Sequence, residues 1–205
     1  MLPQWALDIC RPTVGLLSRI LWRISWSNTK YIPLTGPVII ASNHQTYCDP
    51  FWISVPVSRP IRYLAWDAAF NWPIAGTFLR WFGAWPLQLE GSGPTPIKRS
   101  LQWIKEGGAV VIFPEGGRGG ADGSMKKYKA GAVRMALEAG VPILPVTIRG
   151  GHLVWPSNYR FPRLARRVEI IYHPLFVVEP CENEETREHA RSETQRLAEI
   201  IRSAL

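Results

Sequence analysis

The sequence predicts one α/β domain over residues 31–205, with a central, largely parallel or mixed sheet flanked by helices, behind an N-terminal amphipathic helical segment over 1–30. Short apolar, β-branched runs recur along the chain, and helix-like stretches lie between them; that alternation argues for parallel strands joined by helical crossovers. The first 27 residues carry a different signal, an apolar helical face opposed by arginines.

Taken in order, the N-terminal segment reads as a short helix near 3–10 and a second near 12–27, because Pro12 disfavours one straight helix and suits a first helical turn. On a helical wheel Trp5, Ile9, Leu16, Leu17, Ile20, Leu21 and Ile24 share one face. Asp8, Arg11, Ser18, Arg19 and Arg23 share the other, with Trp22 and Trp26 on or near it. A spanning helix needs about 20 predominantly apolar residues, and Arg11, Arg19 and Arg23 interrupt this one. No cleavage site of a secretory signal is clear. The pattern fits a helix lying in the headgroup plane of a membrane; the competing reading packs it on its own domain.

Strands are expected at 37–42, 61–65, 85–89, 109–113, 143–148 and 168–172, and helices near 50–58, 67–82, 95–106, 128–140 and 185–204. Gly and Pro cluster in the loops at 91–96 and 116–123. The motif beginning Asn43-His44 follows the first of these strands, and Pro114-Glu115-Gly116 follows the fourth. In open α/β sheets ligands bind at the carboxyl ends of strands, so parallel pairing would bring both motifs to one rim.

Composition narrows the partners. A net charge of +8 suits an acidic partner without choosing among nucleic acid, anionic membrane and acidic protein. Ten tryptophans, eight of them at Trp5, Trp22, Trp26, Trp52, Trp66, Trp72, Trp81 and Trp85, point toward a membrane-facing side, against the alternative of a Trp-rich core. Cys10, Cys48 and Cys181 are far apart and form no disulfide or zinc pattern, so a reducing compartment is expected. His152 and His173 are isolated and read as structural, and no ligand spacing implies a metal.

His44 and Asp49 are five residues apart, and five helical steps turn side chains about 140° past a full circle. They can meet only across a loop or helix entry. One reading makes Asp49 the N-cap of a helix beginning at Pro50. The other is a His–Asp dyad, in which the carboxylate fixes the imidazole tautomer and stabilises the imidazolium formed when the ring acts as general base. No GxSxG nucleophile elbow is present, so the attacking hydroxyl is expected on the substrate. In Phe113-Pro114-Glu115-Gly116-Gly117-Arg118, glycines allow close ligand approach and Arg118 offers a fork for phosphate or carboxylate. The plain alternative is a Gly-rich turn with a surface ion pair.

His44-x4-Asp49, Phe113-Pro114-Glu115-Gly116-x-Arg118 and Val141-Pro142-Ile143-Leu144-Pro145-Val146, in that order, resemble the lysophosphatidic acid acyltransferase (glycerolipid acyltransferase) family. Tyr128-Lys129-Ala130-Gly131-Ala132 is also similar to that family's stretch between its last two motifs. The resemblance implies an O-acyltransferase with His44 as base and Asp49 as its partner. It implies that Glu115, Gly116 and Arg118 bind the acceptor, with Arg118 on the phosphate, and that Pro142 and Pro145 shape the acyl side. Asn43, Lys98, Arg99 and Lys129 are further candidates for substrate contact. Leu89 stands where the family usually has an arginine that meets phosphate, which opens the acceptor's identity. No cofactor is implied beyond acyl-CoA or acyl carrier protein as co-substrate. The expected partners are membrane lipids, a lysophospholipid and the acyl donor, with no nucleic acid, at the cytoplasmic face of a membrane. Three readings stand: transfer to lysophosphatidic acid, the same chemistry on another lipid acceptor, and a non-enzymatic membrane-binding module.

Overall fold

The computed structural model describes residues 4–73, 75–87, 95–180 and 186–205. Its centre is the strand β2 (Val38–Ser42), apolar as far as Ala41 and buried throughout, as a strand covered by helices on both faces must be. Parallel partners flank it: β5 (Ala109–Ile112) with Ala41 opposite Ile112, and β6 (Ile143–Arg149) with Ile40 opposite Leu144. Outward on one side lie β3 (Ile61–Trp66) and β4 (Ala84–Leu87), both parallel. On the other, β7 (Glu169–Tyr172) turns antiparallel to β6, and β1 (Ser25–Ser27) pairs parallel with β7 at the edge. The sheet is therefore mixed, with seven strands among the described residues in the order β1-β7-β6-β2-β5-β3-β4.

The alternation of side chains across the strands divides the core in two. Ile39, Ala41 and Val110 face α4 (Thr95–Lys105), α5 (Gly131–Ala139) and α7 (Thr186–Arg202), through Ile104, Val133 and Leu197. Val38, Ile40 and Val111 face Trp52 and Ile53 of α2 (Asp49–Ser54) and Val154 of α6 (Gly151–Val154). The remaining helices are α1 (Gln4–Trp22) and α3 (Ala75–Trp81).

Several expectations change. The helices near 3–10 and 12–27 are one helix that runs through Pro12 and ends at Trp22. Asp8 and Pro12 are both exposed, so water can serve the Asp8 carbonyl that Pro12 cannot, and the proline costs little there. Arg23, in the left-handed region at φ 47°, then turns the chain into β1, which apolar periodicity did not reveal. The helix expected over 67–82 is a 3-10 turn at Asp67–Asn71 followed by α3, with Trp72-Pro73 between them; the residue before a proline avoids helical geometry. The helices expected at 50–58 and 128–140 are shorter, ending at Ser54 and beginning at Gly131. The end of the strand expected over 85–89 lies outside the described residues, as do Leu89 and Cys181.

The packing of α1 inverts its wheel. Of the face expected to be polar, Ser18 is buried against the domain, beside Leu7 and Gly15, while Asp8 and Arg19 stay exposed; a Cβ on Gly15 would stand 2.9 Å from Val55. Trp22 sits edge-on to Trp52, ring centroids 5.6 Å apart, and Trp26 Nε1 donates to the Trp52 carbonyl at 2.8 Å. The apolar face is left in solvent, with Trp5 68% and Ile20 67% exposed. The expected division at 30/31 therefore runs beside an edge strand of the main sheet. Among the described residues no helix is long and apolar enough to cross a membrane.

Trp52 joins α1 to the core and is 1% exposed. Trp52→Ala should lower the free energy of unfolding by about 3–5 kcal/mol, read as a shifted urea midpoint.

Candidate active site

The site forms where β2 and β5 end side by side. Asn43 closes β2: its amide Nδ2 donates to the Ile148 carbonyl at 2.9 Å, and its Oδ1 accepts the Ile148 N–H at 2.7 Å. Both polar ends of Asn43 are thus bonded to β6, and this pair of bonds fixes the start of the loop.

The loop 44–48 is organised by one carboxylate. Asp49 is fully buried, and its Oδ2 meets His44 Nδ1 at 2.9 Å and accepts the backbone N–H groups of Gln45 at 2.6 Å and Thr46 at 2.8 Å. Its Oδ1 accepts the Thr46 hydroxyl at 2.6 Å, and that hydroxyl oxygen accepts the Cys48 N–H at 3.0 Å. Asp49 is the first residue of α2 but turns back onto the loop; the expected N-cap bond into the helix is absent among the described residues. Because the Asp49 carboxylate accepts, it makes Nδ1 the donor side of the His44 ring, and Nε2 has no hydrogen-bond partner among the described residues. The ring stacks on Phe113, centroids 4.2 Å apart, and its side chain is 16% exposed.

The second motif braces the first. Glu115 is buried, and its two oxygens accept the backbone N–H groups of His44 at 2.8 Å and Lys126 at 2.7 Å. Burial pushes this carboxyl above the ordinary carboxylate range, against the pull of the two N–H groups. The glycine loop closes on the same residue, since the Gly119 N–H donates to the His44 carbonyl at 2.7 Å. A Cβ at Gly119 would lie 2.5 Å from the Ser124 carbonyl oxygen, so this position requires glycine. Gly116 turns with φ 69°, and the Lys129 ammonium lies where its Cβ would be, 2.9 Å away.

Arg118 lies over the ring of Tyr47, 4.0 Å from its centroid, and its guanidinium donates to the Tyr47 hydroxyl at 3.2 Å and the Ser157 carbonyl at 3.3 Å. The parallel pairing thus brings His44, Asp49, Glu115, Gly116, Arg118 and Lys129 to one rim. Lys98 and Arg99 are exposed near the start of α4, and no hydrogen bond or ion pair joins them to that group among the described residues. His152 packs on Gly123 and His173 bonds Thr147, both apart from the dyad. Sequence reading missed Thr46, although a Thr three residues before an Asp at a helix entry is a recognisable turn signal. It also missed Phe113 as the platform under His44. Beside that ring lies a small apolar cavity walled by Phe51, Leu64, Leu79, Phe82 and Phe113.

Residues 23–149 match the family model described as Acyltransferase. The chain belongs to the acyltransferase family. It is 29% identical over 124 residues, 60% of this chain and 36% of the relative, to the chloroplastic 1-acyl-sn-glycerol-3-phosphate acyltransferase BAT2 of Brassica napus. It is 32% identical over 124 residues, 60% of this chain and 61% of the relative, to the 1-acyl-sn-glycerol-3-phosphate acyltransferase of Bacillus subtilis. The chain thus spans between about a third and three fifths of the length of these curated relatives. In fold it is similar to the 1-acyl-sn-glycerophosphate (LPA) acyltransferase PlsC of Thermotoga maritima, with TM-score 0.68 and 20% identity over 88% of this chain and 70% of that one.

Glu115→Gln keeps the volume but turns an NH₂ toward one of two backbone donors. It should lower unfolding free energy by about 1–3 kcal/mol, measured by urea titration against the parent chain.

Proposed function

We propose that the chain transfers a fatty acyl group from a thioester, acyl-CoA or acyl carrier protein, to the hydroxyl of a lysophospholipid, with lysophosphatidic acid as the acceptor. The observation that carries this reading is the His44 ring, held by Asp49 through Nδ1 and stacked on Phe113, which walls the apolar cavity. Nε2 takes the proton of the acceptor hydroxyl as its oxygen attacks the thioester carbonyl. The carbon–sulfur bond then breaks, and the imidazolium returns the proton to the departing thiolate. Asp49 stabilises the imidazolium between these steps. Cys48 adjoins Asp49 in the chain, and burial, reinforced by the Asp49 charge, raises its pKa to about 12. Such a thiol stays protonated at neutral pH, which favours direct transfer over an acyl-cysteine route.

Arg118 and Lys129 supply the positive charge for the acceptor phosphate on either side of the Gly116 turn, and Glu115 acts on the acceptor only by positioning His44 and the glycine loop. The names carried by the relatives, 1-acyl-sn-glycerol-3-phosphate acyltransferases, support the same acceptor. Leu89 in place of the family's arginine favours the second reading, the same transfer to a lipid acceptor with a different headgroup. The apolar residues around Phe113 mark the side from which the acyl chain approaches.

Helix α1 is the membrane anchor in this proposal. Its exposed Trp5, Ile9, Leu16, Leu17 and Ile20 forgo on the order of 10 kcal/mol of burial in water, and a bilayer interface would recover much of it.

His44→Ala should lower transfer from labelled acyl-CoA or acyl carrier protein by at least about 10³-fold; activity near the parent level would remove His44 as the base. Arg118→Ala should raise KM for a phosphate-bearing acceptor more than for an uncharged one; equal effects on both would remove its phosphate role. Ala65→Phe, at the cavity wall, should depress transfer of long acyl chains relative to short ones in a donor series.

A further inference from the structure

We propose that Tyr47 is a positioning residue for the acceptor phosphate: its ring seats the Arg118 guanidinium, ties it to the loop that carries His44, and thereby sets the preference for phosphate-bearing over uncharged acceptors. This rests on Arg118 as the phosphate-binding cation and names what holds that cation in place.

The partners of Arg118 among the described residues are neutral. The guanidinium carbon lies 4.0 Å from the centroid of the Tyr47 ring. Nη2 donates to the Tyr47 hydroxyl at 3.2 Å and to the Ser157 carbonyl at 3.3 Å, and Nη1 donates to the Trp155 carbonyl at 3.5 Å. No carboxylate pairs with Arg118 among the described residues. A carboxylate would orient the guanidinium but also neutralise it, and a phosphate would then have to displace that partner. A ring face and carbonyl oxygens orient the same flat group and leave its charge whole.

The ring that does this is itself fixed. Tyr47 meets the edges of two indoles, Trp72 at 5.6 Å and 83° and Trp155 at 5.3 Å and 81°. Trp155 thus acts twice, with its ring on Tyr47 and its carbonyl on Arg118. The backbone of Tyr47 runs between two pinned neighbours: the Thr46 N–H donates to Asp49 Oδ2 at 2.8 Å, and the Cys48 N–H donates to the Thr46 hydroxyl oxygen at 3.0 Å. Asp49 Oδ2 also meets His44 Nδ1. Yet the ring is 40% exposed and belongs to neither core cluster, so burial does not account for it.

The consequence concerns distance. In lysophosphatidic acid the free hydroxyl and the phosphate ester sit on neighbouring carbons, so the base and the phosphate anchor must keep one separation. Mounting both on a single braced loop keeps it. An arginine already seated on a ring also gives up less side-chain freedom when the phosphate arrives, which tightens binding of the charged acceptor alone.

The test is calorimetric binding of a short-chain, water-soluble lysophosphatidic acid and of the matching monoacylglycerol to the full chain, without acyl donor, so that it reads the acceptor site whether or not transfer occurs. The parent should bind the phosphate-bearing lipid more tightly. Tyr47→Leu should weaken that lipid about threefold to tenfold and the monoacylglycerol by less than about twofold, while Tyr47→Phe, which keeps the ring, should stay within about twofold of the parent for both. In transfer assays the loss in Tyr47→Leu should fall on KM for lysophosphatidic acid and not on kcat. Equal weakening of both lipids by Tyr47→Leu makes the ring a structural part only and overturns the inference, as does a loss in Tyr47→Phe as large as that in Tyr47→Leu. If Arg118→Ala abolishes the preference while Tyr47→Leu retains it, the phosphate role of Arg118 stands and that of Tyr47 falls. If the parent shows no preference, or Arg118→Ala keeps it, both fall.

Discussion

A single buried carboxylate organises the functional rim. Asp49 Oδ2 gathers the His44 ring and the N–H groups of Gln45 and Thr46, while Oδ1 takes the Thr46 hydroxyl. A buried charge survives only where donors replace its water, and these donors all come from the five residues before it. The loop is therefore wrapped around its own counter-charge, and the orientation of the His44 ring follows from that wrapping. Glu115 repeats the device from the other strand, taking one N–H from each of two loops. The Asn43 amide pins the base of the loop to β6. Three hydrogen-bonded polar side chains thus hold the loop that carries one imidazole.

The second constraint is the uneven treatment of apolar surface. The two faces of the sheet are covered, yet α1 packs through Gly15 and Ser18 and leaves leucine, isoleucine and tryptophan outside. Close helix packing needs small residues at the contact, and the larger apolar residues are then displaced to the far face. The domain thereby gains a rigidly mounted apolar stripe without a separate flexible element.

Much of this was legible in the sequence. The β-branched runs located the strands at the centre of the sheet, and the two motifs at strand ends foretold a shared rim once parallel pairing was established. Residues whose roles depend on partners distant in sequence were not legible. The bonds of Glu115 and Asn43 go to backbone groups, which no side-chain pattern reports, so their bracing of the loop was not legible. The wheel of α1 divided the faces correctly, but a wheel does not say which face the domain takes; Gly15 and Ser18 were the available signal. Pro12 was overweighted because its cost depends on whether water can reach the carbonyl it deprives, and here both Asp8 and Pro12 are exposed. β1 is three residues long, too short to show a period.

Those short outer strands bear on self-association. The sheet ends in β1, flanked by left-handed Arg23 and Asn28, and in β4, where Pro86 has no N–H to offer. An unpaired edge templates the addition of another strand only if it is long and regular. Among the described residues neither edge qualifies. Copies crowded together could meet face to face or through side chains, but their sheets would not be joined into a growing fibre.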